Sequence, residues 1–150
     1  MAIVRLKKGQ GRSLKAGSAW IYDNEIDQIQ GDFEEGDMVQ IEDFDRYPMG
    51  QGFINTRSKI TVRMMTRKRE QVVDKDFIEM RVRNAWNYRK DTVDISCCRL
   101  IFGEADFLPG IVVDKFADVL VVQSLAMGID RWKEVIIEKC RLVLEEYGMK

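Results

Sequence analysis

Two carboxylates with one residue between them, Glu104 and Asp106, open the segment Gly103 to Gln123, GEADFLPGIVVDKFADVLVVQ. A carboxylate pair can divide acid and base roles between its members. These two share a face only if the loop between them is extended. The reading we favour is that carboxylates in a short loop accept backbone hydrogen bonds and hold the turn. Residue types limit other chemistry. The chain has no histidine, which removes every Ser–His and Cys–His arrangement. Its three cysteines, Cys97, Cys98 and Cys140, form no CxxC pair, so no zinc site is expected. Hydrolytic chemistry would have to rest on carboxylates, lysine or tyrosine.

The other candidates for chemistry are cations. The net charge is -1 over 150 residues, so global charge says nothing about nucleic acid, but its distribution does. Arg5, Lys7, Lys8, Arg12 and Lys15 crowd the first segment. Arg57, Lys59, Arg63, Arg67, Lys68 and Arg69 crowd a later one, and an acidic stretch from Asp32 to Asp45 lies between them. Two basic segments folded together make a phosphate-binding patch even on a neutral chain. The alternative is ordinary exposed strand residues that discourage edge pairing. Trp20 and Tyr22 could stack on a base; they alternate around Ile21, Trp20 reads as core, and Tyr22 stays open.

The elements that must position these residues are short. IVRLKK, residues 3–8, predicts a first strand, with a helical turn at 13–16. An apolar cluster follows at Trp20-Ile21-Tyr22. Strands are expected at 26–29, 38–42, 50–55 and 60–65, and alternation with period two over 38–42 marks a half-buried surface. So many short strands within about 65 residues predict a small barrel or sandwich. Asp74 reads as the N-cap of a helix over 75–90, with Phe77, Ile78, Val82, Ala85 and Trp86 on one face. Residues 91–98 read as a connector and 99–102 as a strand. Pro109-Gly110 starts a hairpin of 111–113 and 119–122 around a polar turn at 114–118. Asp130 is expected to cap a last helix buried through Trp132, Val135, Ile136, Lys139, Cys140, Val143 and Leu144, and Gly148 to end it. Trp86, Trp132 and Cys140 read as core. The class is α+β, with domains at 1–70 and 71–150.

No apolar run approaches the roughly 20 residues of a membrane span, and MAIVRLKKGQG lacks the apolar stretch of a signal peptide. A cytoplasmic protein with no membrane partner is the expectation.

Two stretches resemble one family. GRSLKAGSAWIYDNEI, from Gly11 to Ile26, and RLIFGEADFLPGIVVDKFADVLVVQ, from Arg99 to Gln123, look like the N-terminal part of PUA-domain-containing, S-adenosylmethionine-dependent methyltransferases that modify cytosine C5 of large-subunit ribosomal RNA. The second stretch is the more specific, being similar to the family's FGEADGLPGLIVDRYGD. Ser18-Ala19 stands where the family often has His-Pro, and Phe107 and Ala117 stand where it often has glycine.

The resemblance implies a PUA-like barrel followed by a helix, a three-strand antiparallel sheet and a helix. In the family a Rossmann-like domain then carries the cofactor loop and the catalytic cysteine. This chain has no counterpart of either, so it reads as the N-terminal portion of a longer enzyme, catalytically inactive alone. No catalytic, cofactor-binding or metal-ligating residue is expected in it, and S-adenosylmethionine is implied for the parent only. The expected partners are ribosomal RNA and the missing methyltransferase domain; an exposed apolar patch could also drive homodimer formation. With the resemblance, RNA binding becomes the leading reading of the basic segments, carried by Arg5, Lys7, Arg12, Lys15, Tyr22, Arg57, Lys59 and Arg67. A stand-alone RNA-binding adaptor without catalysis is the alternative, and a purely structural hairpin module is a third.

Overall fold

Alternation of apolar and polar residues builds the first of two units. The computed structural model describes residues 1–146, which divide at Gln71 and Val72. Strand β1 (Ile3–Leu6) buries Val4 and Leu6. The predicted strand over 3–8 stops at Leu6 because Gln10 N–H turns back onto the Lys7 carbonyl at 3.0 Å, with Gly9 at φ 83°. A single-turn helix, α1 (Arg12–Lys15), is anchored by buried Leu14. Strand β2 (Trp20–Tyr22), a 3-10 turn at Asp23–Glu25 and β3 (Ile26–Gln30) follow. Next come β4 (Met38–Glu42), β5 (Pro48–Ile54) and β6 (Ile60–Thr66).

These strands form one sheet in the order β2-β6-β5-β4-β1-β3, with β1 and β4 parallel and the other neighbours antiparallel. The order forces curvature. The two edge strands, β2 and β3, are consecutive in the chain and joined by three residues. Four Cα steps reach at most ~14 Å, whereas the edges of a flat six-stranded sheet lie about 24 Å apart. The sheet therefore curls around Leu6, Leu14, Ile21, Ile41 and Ile54, all buried. It does not close as a hydrogen-bonded ring, since β2 and β3 are not paired. The expected barrel is an open, half-barrel sheet.

Close approach of β5 to β6 depends on two glycines. A Cβ at Gly50 would collide with the Thr66 carbonyl, and one at Gly52 with the Arg63 carbonyl. Both glycines are buried, as is Gln51 between them.

In the second unit, helix α2 (Lys75–Arg89) starts as predicted, with Asp74 Oδ1 accepting the Phe77 N–H at 2.9 Å. Strands β7 (Cys97–Phe102), β8 (Ile111–Phe116) and β9 (Val119–Ser124) form an antiparallel sheet in that order. Cys97 and Cys98 thus lie in β7 and not in a connector, because they pair with Phe116 and Lys115 across the ladder. The hairpin is tighter than predicted: β8 runs to Phe116, leaving Ala117-Asp118 as the turn. Lys115, expected in that turn, is a buried strand residue. A short helix, α3 (Met127–Asp130), precedes α4 (Lys133–Glu146). Asp130 therefore ends α3 and does not cap the last helix; it pairs with Lys133 at 3.5 Å. Helix α4 buries Ile136, Cys140, Val143 and Leu144, whereas Trp132 is only half-buried. Gly148 lies outside the described residues. No helix among the described residues is long and apolar enough to cross a membrane.

Candidate nucleic-acid interface

Backbone contacts gather some of the predicted residues around the turn at Asp23–Glu25. Lys7 N–H donates to the Glu25 carbonyl at 2.8 Å, and Asp23 N–H donates to the Lys59 carbonyl at 2.9 Å. Tyr22 N–H donates to Glu25 Oε1 at 3.1 Å, and the Tyr22 side chain is exposed. Arg57 lies in the β5–β6 turn, where its N–H donates to Asn55 Oδ1 at 3.1 Å. Lys7, Tyr22 and Lys59 are thus brought together through the backbone of this turn, with Asp23 and Glu25 in their midst, and all three are exposed, as is Arg57 in the β5–β6 turn.

A second group forms on α1. Leu14 points inward, which turns Arg12 and Lys15 outward. Arg67, 53 residues along the chain from Leu14, fixes the helix end: it donates to the Leu14 carbonyl and, at 2.9 Å, to the Ser18 carbonyl. A guanidinium on the last carbonyls satisfies acceptors that the helix leaves open. Arg67 is thereby a positioning residue for Arg12 and Lys15. Gln51 does similar work on the segment after β6. Its amide donates to the carbonyls of Arg69 at 2.9 Å, Gln71 at 2.7 Å and Lys68 at 3.3 Å.

Arg5 stands apart from both groups. Its Nε donates to Glu42 Oε1 at 2.9 Å, with both side chains mostly buried, so its charge is matched across the β1–β4 pair. Trp20 differs from its reading as core. Within β2 the buried residue is Ile21; Trp20 faces the other way and is half-buried. Arg63, its cross-strand partner, lies over the indole at 5.4 Å from the ring centroid. Among the cations that crowd the later segment, only the register of β2 on β6 singles out this one.

The carboxylate pair of the second unit is structural at Asp106. Its two oxygens accept Arg89 Nη1 at 2.9 Å and Nη2 at 2.7 Å, and the second also accepts the Phe102 N–H at 2.7 Å. Asp106 is buried and Glu104 half-buried in the same 3-10 turn, Gly103–Asp106. Cys98 and Cys140 are poor nucleophiles. Burial raises the Cys98 thiol above its ordinary pKa and pushes that of Cys140 up to about 12, so both hold their protons at neutral pH.

Residues 4–67 match the family model of the PUA-like domain. The whole chain has named relatives as well. It is 37% identical over 150 residues to the ribosomal RNA large subunit methyltransferase I of Shewanella frigidimarina, covering 97% of this chain and 37% of that protein. The proteins of the same name from Shewanella denitrificans and Pseudoalteromonas atlantica are 36% and 30% identical, over 95% and 97% of this chain. The chain spans about 37% of the length of the Shewanella relatives. Among solved structures, it superposes with a TM-score of 0.81 on a candidate SAM-dependent methyltransferase from Streptococcus mutans, at 13% identity, over 97% of this chain and 38% of the other. A candidate methyltransferase complexed with SAH matches equally well. At that identity the likeness is one of fold.

Among the described residues, no glycine-rich loop joins a parallel strand to a helix. A cavity between α2, β7 and α4 measures about 10 Å³ and is lined by side chains such as Val82, Leu100 and Val143, room for about one water and not a nucleoside.

Proposed function

We propose that this chain is the RNA-binding, substrate-presenting part of an S-adenosylmethionine-dependent methyltransferase that modifies cytosine C5 of large-subunit ribosomal RNA. The PUA-like match over residues 4–67, which contains both exposed basic groups, carries this reading. The names of the relatives support the ribosomal RNA substrate and the methyl transfer. The short share of their length that this chain spans supports placing the cofactor and the chemistry elsewhere in the parent protein.

The mechanism this assigns to the chain is grip and orientation. Exposed lysines and arginines release counterions from phosphates, which supplies affinity and steep salt dependence. Tyr22, displayed beside Lys7 and Lys59, can stack on a base. Arg12 and Lys15 gain direction from Arg67, which prevents α1 from swinging.

Binding of a structured ribosomal RNA fragment, followed as salt is raised, tests this. Affinity is expected to fall steeply with salt, and R12E/K15E to weaken binding by ~10-fold or more with a shallower slope, because two phosphate contacts are reversed. Unchanged affinity in that variant would remove the assigned face. R67A is expected to weaken binding less than R12E/K15E and to lower the melting temperature, since it frees the helix end.

A further inference from the structure

The loop between β7 and β8 displays two phenylalanines where burial would be expected. Phe102 and Phe107 flank the 3-10 turn and are 51% and 67% exposed. Phe107 is also held at φ 58°, a left-handed conformation that costs a residue with a Cβ roughly 1 kcal/mol or more. The turn cannot easily withdraw the ring. Asp106 is tied to Arg89 and to the Phe102 N–H, Leu108 N–H donates to the Gly103 carbonyl at 3.1 Å, and the Leu108 side chain is fully buried. Residues held in sparsely populated conformations by an over-determined surround cluster at binding sites.

Arg81 stands beside this ring. Its guanidinium lies 4.4 Å from the centroid of buried Phe77 and 5.4 Å from that of Phe107, and it donates to the Phe107 carbonyl at 2.5 Å. Arg83, Arg89 and Arg99 have carboxylate partners in Glu146, Asp106 and Asp114. Arg81, among the described residues, has none, although burial disfavours its charge and lowers its pKa. An anion there would neutralise a cation already drawn from water. With one N–H committed to a carbonyl, a guanidinium keeps further donors. A flat apolar face next to an unmatched cation suits a ligand with a flat ring and a phosphate.

We propose that Phe107 and Arg81 bind one unpaired nucleotide of an RNA strand, with the base stacked on the Phe107 ring and a phosphate paired with Arg81. Phe102, with the Arg99 guanidinium 5.2 Å from its ring centroid, offers a second stacking surface across the same turn. The choice of RNA as ligand rests on the function proposed above; the residues do not, since they lie in the other unit. Stacking on aromatic side chains, with arginine beside them, is how sequence-tolerant single-strand binding is built.

The test uses the whole chain and a short single-stranded RNA carrying 2-aminopurine, a base whose fluorescence changes on stacking. Wild type is expected to change that fluorescence on binding. F107G is expected to abolish the change and weaken binding by roughly 5- to 100-fold, the loss of one stacked base, while its melting temperature stays level or rises because glycine accepts the backbone angle. F107L, which keeps apolar bulk without an aromatic face, should lose the signal too. R81Q is expected to weaken binding and lower the salt slope by about one phosphate, and R12E/K15E to weaken binding yet keep the fluorescence change at saturation. RNA bound with ordinary salt dependence, but with F107G matching wild type in affinity and signal, overturns the nucleotide site alone. The same holds if F107G alters only self-association, which would assign the ring to a protein contact. Failure of wild type to bind any RNA overturns the proposed function and this site together.

Discussion

Arg89 meets Asp106 through two parallel hydrogen bonds of 2.9 and 2.7 Å, with side-chain exposures of only 12% and 7%. The pair joins the last turn of α2 to the loop between β7 and β8. Removing one partner of a buried pair strands the other charge, which typically costs about 3–5 kcal/mol. D106N should therefore unfold much of the second unit at temperatures where wild type is intact, read by circular dichroism and urea titration. Replacing both partners, as R89M/D106L, should recover part of that loss, because no unmatched charge remains. A double variant less stable than D106N would show that the bonds to the Phe102 N–H and the loop geometry matter more than the charges.

Ala117 occupies the first position of the two-residue hairpin turn at φ 54°, and its N–H donates to the Ser96 carbonyl at 2.6 Å. Glycine adopts that angle without a Cβ clash. A117G is expected to raise stability by about 1 kcal/mol in denaturant unfolding, with the slope of the transition unchanged. A destabilised A117G would mean that the freedom added to the unfolded chain outweighs the relief of strain.

The strands of the first unit were legible because their alternation is local: Met38 to Glu42 reads inward and outward by residue type, and the structure keeps that pattern. The cap at Asp74 was legible for the same reason. The curl was not, because it follows from β2 and β3 being opposite edges of one sheet, a property of pairing that no local window contains. Alternation around Ile21 shows that one face of β2 is packed but not which one, and the single buried residue of that short strand is Ile21, not Trp20. The hairpin turn is narrower than the sequence suggests because Asp114 and Lys115 look like turn residues; the ladder pairs them with Arg99 and Cys98, and Asp114 is matched by Arg99 at 2.9 Å. At the candidate interface the sequence supplied the cations. Which of them are exposed, and that Arg5 and Arg67 are spent on Glu42 and on the end of α1, required the tertiary fold.

Gly52 has no positive φ, so its glycine is required by contact and not by backbone conformation. A methyl group there would press on the Arg63 carbonyl, which is backbone and cannot rotate away. G52A is expected to destabilise the first unit by about 2 kcal/mol or more, as overpacking does. It should also weaken RNA binding, because Arg67, which holds the end of α1, directly follows the displaced strand. Amide exchange resolved by residue should place the loosening in β5 and β6 and spare α2 and α4; loosening spread evenly over both units would contradict the contact argument.

Cys140 is enclosed on α4, and burial pushes its thiol up to about 12 from the ordinary 9.0. Below the ordinary value both folded and unfolded chains hold the proton, so the thiol adds no pH dependence. Above it the unfolded chain releases the proton and the folded chain does not. The unfolded state then binds fewer protons, and stability falls as pH rises through the interval, by roughly 1 kcal/mol for each pH unit. C140V keeps the apolar volume and removes the ionisation. Urea unfolding at about pH 8 and again at about pH 10 should show wild type losing more stability than C140V, with the difference growing across that range. Parallel losses in the two proteins would mean that lysine and tyrosine ionisation governs the alkaline limit and that the buried thiol does not.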